Sequence, residues 1–455
     1  MKNGFEKLFS FSVDLRLSGY DRADKTPERK VTNMKKTRRI AIMALAICVI
    51  MGAWAAAFAK AESEKSAVDA GAAFSTSSAF STSPALGTSS ALSTAAAATG
   101  TPLFQRSDLF SDRDLEQEAD LTDAVTYMVA DGQEVRITDA GVYVLTGSAR
   151  NATVYVEADE KDKVQLVLDG LTITNDDFPA IYVKSADKVF VTTAADSSLA
   201  VTGSFAADGD TKTDGVIFSK ADLVLNGVGK LTVVSSENGV VSKDDLKITG
   251  GTYAVSARVK AMEANDSIRV ADGVLQLTAG TDGLHAENDD DDGKGYIYIG
   301  GGTLTVTAGD DGIHATTVVQ VDDGTLTVTA AEGIEATYVQ LNGGVIAIDS
   351  WDDGVNAAQK SSAYRATVEI NGGDITIAMS AGDTDGVDAN GDIIVNGGTI
   401  RVTGSSTFDY DGSAQYNGGT IIANGQQIDY IPNQMMGGRG GMGGWGRGFG
   451  GRGRG

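Results

Sequence analysis

The chain has 455 residues with 61 acidic and 37 basic side chains, a formal net charge of −24, 57 glycines, 5 prolines and one cysteine. So much glycine without a Gly-X-Y period excludes collagen, and 42% apolar residues exclude a wholly disordered chain. The lone Cys48 excludes an intrachain disulfide, and the acidic balance disfavours nucleic acid as partner of the whole chain.

Charge is unevenly spread: residues 1–39 hold 11 basic and 5 acidic side chains, residues 60–455 hold 26 and 56, and residues 40–59 hold none. The basic cluster Lys35-Lys36-Thr37-Arg38-Arg39, the apolar run and Ala57-Phe58-Ala59 follow the order of an export signal over residues 34–61, with cleavage expected near Lys60 or Glu62. The same run is also long enough to span a bilayer as a permanent anchor. Met34 directly precedes the cluster, so residues 1–33 read as an upstream mis-start. Residues 62–102, rich in Ala, Ser and Thr, read as a linker. At the far end, residues 435–455 are almost only Gly, Arg, Met and single aromatics. They read as a disordered cationic tail, either solvated or touching an acidic polymer.

The expected folded domain, residues 103–434, repeats itself from about 135 to 425. Taking the glycine of each Asp-Gly step as anchor, the units are Asp214-Gly215, Asn238-Gly239, Lys260-Ala261, Asp282-Gly283, Asp311-Gly312, Glu332-Gly333, Asp353-Gly354, Asp385-Gly386 and Asp411-Gly412. The spacings are 24, 22, 22, 29, 21, 21, 32 and 26 residues, a solenoid period with insertions. Apolar residues alternate within units, as in Thr303-Leu304-Thr305-Val306-Thr307, which predicts short strands with one face inward. Three strands per unit, broken by Asp-Gly and by Asn342-Gly343-Gly344, Asn371-Gly372-Gly373, Asn396-Gly397-Gly398 and Asn417-Gly418-Gly419, predict an all-β parallel β-helix of about 12 coils. Its corner glycines are expected to supply positive φ.

Stacking turns sequence columns into ladders with a rise of about 4.8 Å. The residues before the anchor glycines then form an acidic column containing Asp282, Asp311, Asp353, Asp385 and Asp411, thickened by Asp310, Asp352, Asp383, Asp388 and Asp409. Crowded oxygen donors beside glycine turns suit calcium; the alternative is a solvated acidic edge of turn-forming aspartates. Two residues past each anchor lies a second column with Glu263, His285, His314, Glu335, Asn356 and Asp388. It puts both histidines of the chain on adjacent coils, where imidazoles bind a metal, hydrogen-bond a sugar or simply sit in water. Residues 288–292 form an insertion that reads as a lip over this face or as a hydrated loop. Tyr298, Tyr338, Trp351 and Tyr364 offer sugar-stacking surfaces or ordinary strand packing.

The stretch from Ile137 to Gly147, then Val167-Leu168-Asp169-Gly170-Leu171-Thr172-Ile173, Ala180-Ile181-Tyr182-Val183 and the recurring Asp-Gly-x-His-Ala and Asn-Gly-Gly units, resembles the bacterial cell-surface carbohydrate-binding β-helix family first known from cellulolytic clostridia. The resemblance covers about residues 120–430. It implies a right-handed parallel β-helix, bound calcium, and affinity for plant polysaccharides including acidic, pectin-type chains. The expected protein is therefore a secreted or cell-surface, calcium-dependent polysaccharide binder with no membrane anchor after cleavage. The alternatives are a pectin-type lyase or hydrolase, or an adhesin rod. Gly309-Asp310-Asp311 resembles the paired aspartates of polygalacturonases, whose acid pair suits glycoside inversion, but the Asn-Thr-Asp and Gly-His-Gly parts are missing. Arg269, Lys294 and Arg365 are the candidate lyase bases, and nothing in the sequence selects among them.

Overall fold

Alternation at a period of two puts one side chain inward and the next outward. The strand Thr303–Thr307 follows it, with Leu304 and Val306 buried between exposed threonines. The computed structural model describes residues 100–380 and 384–434. The expected mis-start, export signal and tail, all but the last three linker residues, and Asp383 lie outside the described residues.

Each coil supplies three strands, exemplified by Asp311–Ala315, Val318–Val321 and Thr325–Ala330, and by Glu332–Ala336, Tyr338–Leu341 and Val345–Ser350 in the next coil. Like stacks on like: Ile313 pairs with Ile334, Val319 with Val339 and Leu326 with Ile346, all in parallel. Among the described residues this generates a 12-stranded sheet (sheet 1, carrying the Asp-Gly units) and two 13-stranded sheets (sheet 2, then sheet 3). The chain is thus an all-β, right-handed parallel β-helix. Sheet 3 ends in the one antiparallel pairing among its described strands, Thr420–Ala423 against Gln426–Ile428.

The core is a stack of short apolar columns. Leu284, Ile313, Ile334, Val355 and Val387 are all fully buried. Each such side chain contributes roughly 1.5–3 kcal/mol relative to exposure.

Corner glycines act in two ways, which corrects the expectation of positive φ throughout. At the Asn-Gly-Gly corners the second glycine does have positive φ, +84° at Gly344 and +90° at Gly373. The asparagines there form a ladder, each amide donating to the carbonyl oxygen of the previous one: Asn371 to Asn342, Asn396 to Asn371 and Asn417 to Asn396, at 2.7 Å each. At the Asp-Gly corners the reason is close approach. A Cβ on Gly312 would lie 2.2 Å from Val328 Cγ1 and 2.6 Å from the Gly333 carbonyl oxygen.

Residues 101–117 form a strap along the outside of sheet 2, containing helix α1 (Arg106–Leu109) and a 3₁₀ turn, Asp112–Leu115. Gln340 donates to Thr101 O, Gln320 exchanges hydrogen bonds with both the N–H and the carbonyl of Phe104, and Arg106 donates to Ala271 O. Asp114, 1% exposed, ion-pairs with Lys188 and Lys247 at 3.0 Å each. The strap lies almost wholly within the expected domain, residues 103–434, but ahead of the repeat at about 135–425, so the repeat pattern does not reveal it.

Candidate functional site

The outer face of sheet 1 carries a row of side chains at one per coil. By register it runs Tyr155, Tyr182, Phe218, Val241, Glu263, His285, His314, Glu335, Asn356, Asp388 and Asp409. The early part is apolar, with Tyr182, Phe218 and Val241 buried together beside Tyr155 and Phe178. The middle holds the histidines, and the late part is acidic.

In the middle, the rings of His285 and His314 stack with centroids 4.6 Å apart and 17° between planes. Each Nδ1 faces the aspartate three residues earlier: His285 lies 2.9 Å from Asp282 Oδ2, outside hydrogen-bond angles, and His314 lies 2.6 Å from Asp311 Oδ2. His314 Nδ1 is also 3.0 Å from Glu335 Oε2, which Lys360 Nζ meets at 3.0 Å. Burial would lower the His314 pKa, but hydrogen bonds and charge from Asp311 and Glu335 hold it up at about 9. Burial likewise opposes ionisation of Asp282 and Glu335, yet His285 holds Asp282 below the usual range, and His314 and Lys360 do the same for Glu335.

The acidic part lacks such compensation. Among the described residues no Lys, Arg or His pairs with Glu332, Asp353, Asp388 or Asp409. Burial, with Glu335 next, pushes Glu332 up to about 8; burial, with Asp353, Asp385 and Asp409, pushes Asp388 up to about 7; Asp353 rises to about 6 for similar reasons. Among these groups Asn356, 9% exposed, has its Oδ1 buried without a hydrogen-bond partner, while its Nδ2 donates to Glu332 Oε2 at 3.0 Å. The donor chemistry here is all oxygen, as calcium prefers.

Metal-chelating clusters are present. Among the described residues, ligand atoms gather within 4.8 Å in three trios: His285–Glu287–His314, Asp311–His314–Glu335 and Asp244–Asp245–Asp266. The third was not legible, because Asp244 and Asp266 belong to different coils and neither sits in an Asp-Gly unit. Among the described residues the run from Asp353 to Asp409 contains no such trio, so an ion held by these carboxylates needs further ligands.

The two longest repeat spacings are insertions that meet. Asp292 accepts hydrogen bonds from Ser361 and Ser362, the first to its backbone carbonyl at 3.3 Å. Thr337 Oγ1, on the second of the two coils between, accepts from the N–H groups of Lys360 and Ser361 at 3.0 and 2.9 Å. Together the insertions form a continuous lip beside the histidines and Glu335.

Several expected site residues are placed elsewhere. Tyr298 belongs to sheet 2, is 1% exposed beneath Leu109 and Phe110 of the strap, and donates to Asp322 Oδ2, so it offers no sugar-stacking face. Tyr338 is also on sheet 2, half-buried, with its hydroxyl on Glu369 and its ring edge-on to Tyr364. Trp351, 37% exposed, stands next to Asp352 at the acidic corner. Asp310 and Asp352 are exposed on that corner. Asp411 leaves the column: Asp385 pairs with Ser406 and Asp388 with Asp409, so the residue equivalent to Gly386 is Thr407 and Asp411 falls beyond the strand. A similar slip occurs at the first unit, where Asn238 pairs with Gly215 and not with Asp214. The candidate lyase bases are tied up, Arg269 to Asp245 at 2.7 Å, Lys294 to Asp266 at 2.6 Å and Arg365 to Asp392 at 2.6 Å.

A parallel β-helix with a row of polar and ionisable side chains along one sheet places the chain in the class of β-helical solenoids. The profile of the family described as "Carbohydrate-binding domain-containing protein" matches residues 131–412, and the chain belongs to that family. A protein of that description from Acetivibrio thermocellus is 35% identical over 140 residues, 30% of this chain; the match spans about half, 49%, of that relative. A solved structure described as the polysaccharide lyase-like protein from C. thermocellum, a gadolinium derivative, is 30% identical with a TM-score of 0.42, covering 46% of this chain and 90% of that one. No helix among the described residues is long and apolar enough to cross a membrane.

Proposed function

We propose that this chain, exported to the cell surface or medium, binds acidic plant-type polysaccharide along the outer face of sheet 1 with the help of calcium. One observation carries the reading: from Glu332 to Asp409 the face repeats oxygen ligands coil by coil, and among the described residues no cation is paired to Glu332, Asp353, Asp388 or Asp409. A rise of about 4.8 Å per coil presents them as a line suited to a linear polymer. On its own such a line repels a uronate chain. Calcium, with roughly six to eight oxygen ligands, supplies positive charge there and leaves coordination positions for the polymer's carboxylates. Asp353, Asp388, Asp385 and Asp409, with the Asn356 amide oxygen, would hold it; Asp282 and Asp311 contribute less, because His285 and His314 already occupy them. Asp310 and Asp352 would extend the acidic rim. His285, His314 and Glu335 continue the face and would hydrogen-bond sugar hydroxyls under the lip, while Trp351 would stack on a sugar ring at the corner.

A second reading, cleavage of the same polymer, is favoured by the two imidazoles standing beside the acidic run, where a base would meet a calcium-bound uronate. One experiment addresses both. The full chain is incubated with polygalacturonate and with a neutral glucan, with and without EDTA, and retention and products are measured. Calcium-dependent retention without products supports the binding module; unsaturated products or new reducing ends assign an enzyme; equal retention by the neutral glucan removes the acidic-polymer reading.

A further inference from the structure

The chain contains two histidines, and the fold brings both together. From this arrangement we infer that His285, Glu287 and His314 form a site for a divalent transition-metal ion of the zinc type, separate from the oxygen ligands of the acidic run. It concerns the same two imidazoles that the polymer-binding reading places on the sugar face, and its test reads metal binding alone.

Three features support it. First, a ring nitrogen of each histidine and a carboxylate oxygen of Glu287 lie within 4.8 Å of one another, with His285 Nε2 3.0 Å from Glu287 Oε2. Ligands of one tetrahedral zinc stand roughly 3.3–3.6 Å apart, since zinc–nitrogen and zinc–oxygen bonds are roughly 2.0–2.2 Å, so the trio needs to shift by about 1 Å to close on an ion. Second, Nδ1 of each ring faces a carboxylate: His314 is hydrogen-bonded to Asp311 at 2.6 Å, and His285 lies 2.9 Å from Asp282 outside hydrogen-bond angles. A carboxylate behind Nδ1 fixes the ring and the tautomer and leaves Nε2 to the metal, as in carboxylate–histidine–zinc arrangements. In-register coils with rings 17° from parallel turn both Nε2 edges to one side. Third, space for an ion and its water adjoins two of the ligands, His285 and Glu287. A cavity of about 260 Å³ is lined by Glu263, His285, Glu287, Asn288, Asp289 and Asp290.

Three protein ligands leave one position of a tetrahedral shell open. Imidazole donors select zinc-type ions over calcium and magnesium, which take oxygen. Glu287 sits just before the residue 288–292 insertion, so the lip begins at the metal.

The test is calorimetric titration of zinc chloride into the full chain, purified without a polyhistidine tag and stripped with EDTA, with the histidine side chains followed by nitrogen-15 NMR. Expected are one zinc per chain with micromolar or tighter affinity, shifts of both imidazoles, and no displacement by millimolar calcium. His285→Gln and His314→Gln should each weaken binding at least about tenfold, about 1.4 kcal/mol. Glu287→Gln, a change at a half-exposed side chain that leaves the fold intact, should weaken it severalfold. The inference is overturned if zinc binds only in the millimolar range, if calcium displaces it, or if Glu287→Gln and the folded histidine variants bind as tightly as the unaltered chain.

Discussion

Ser361 donates its hydroxyl to the backbone carbonyl of Asp292, 69 residues earlier in the chain and 3.3 Å away. This contact, with that of Ser362, makes the two repeat insertions one structure beside the histidines. Asp292→Ala, which removes the side-chain contact with Ser362 and leaves the backbone carbonyl to Ser361, is expected to change global stability by less than about 0.5 kcal/mol, as exposed substitutions do. Amide exchange should nevertheless rise in both insertions, residues 288–294 and 358–366. Faster exchange in the first insertion alone shows that they do not brace one another.

The strap should depend most on Asp114. Asp114→Asn leaves Lys188 and Lys247 against a neutral amide, at a cost of about 3–5 kcal/mol. Burial would raise the Asp114 pKa, yet the Ser111 N–H and both lysines hold it down from 3.8 to about 2. A folded value below the unfolded one stabilises fully above the ordinary carboxylate pKa and is lost as pH falls through about 2. Urea denaturation between pH 4 and pH 2 should therefore show a loss in the unaltered chain that the variant lacks; equal slopes contradict the assignment.

In chelated protein the acidic run gives the opposite slope. Glu332, Asp388 and Asp353 titrate in the fold at about 8, 7 and 6, above ordinary values of 4.5, 3.8 and 3.8. The folded state then holds protons that the unfolded chain releases, so stability falls as pH rises from about 4 to about 8. His314, raised from 6.5 to about 9, acts in the same direction: its contribution is full below 6.5 and lost through 9. Melting in EDTA should occur at lower temperature at pH 8 than at pH 5, and calcium should restore more at pH 8. A melting temperature that rises over this interval contradicts the charge assignment.

Core columns predict a local cost. Ile313→Ala removes a fully buried side chain between Leu284 and Ile334, and should destabilise by about 2–5 kcal/mol. Ile313→Asp should unfold the neighbouring coils, since an unpaired charge there has no partner. Circular dichroism melts decide; a variant as stable as the parent contradicts the stacking.

The β-helix was legible because its information is local and repeated. Alternating Thr and Leu or Val residues specify strands, the 21-to-24-residue spacing specifies coils, and adjacent Asp-Gly-x-His units place His285 beside His314. What the sequence hid depends on register and on distant chain. Counting from Asp-Gly motifs put Asp411 in the acidic column, but strand pairing follows Val387 against Phe408, an inward-facing contact. Tyr298 looked exposed because the strap that covers it lies outside the repeat. Lys360, which closes the histidine network on Glu335, comes from an insertion with no repeat signal.

Calcium-bridged binding is tested most directly by titrating oligogalacturonate into the unaltered chain and into the double variant Asp353→Asn, Asp388→Asn, each with calcium and after exhaustive chelation. Binding should be tight only for the unaltered chain in calcium, and at least about tenfold weaker in the other three conditions. Equal affinity after chelation, or an unaffected double variant, contradicts it and moves the sugar contacts to His285, His314 and Trp351.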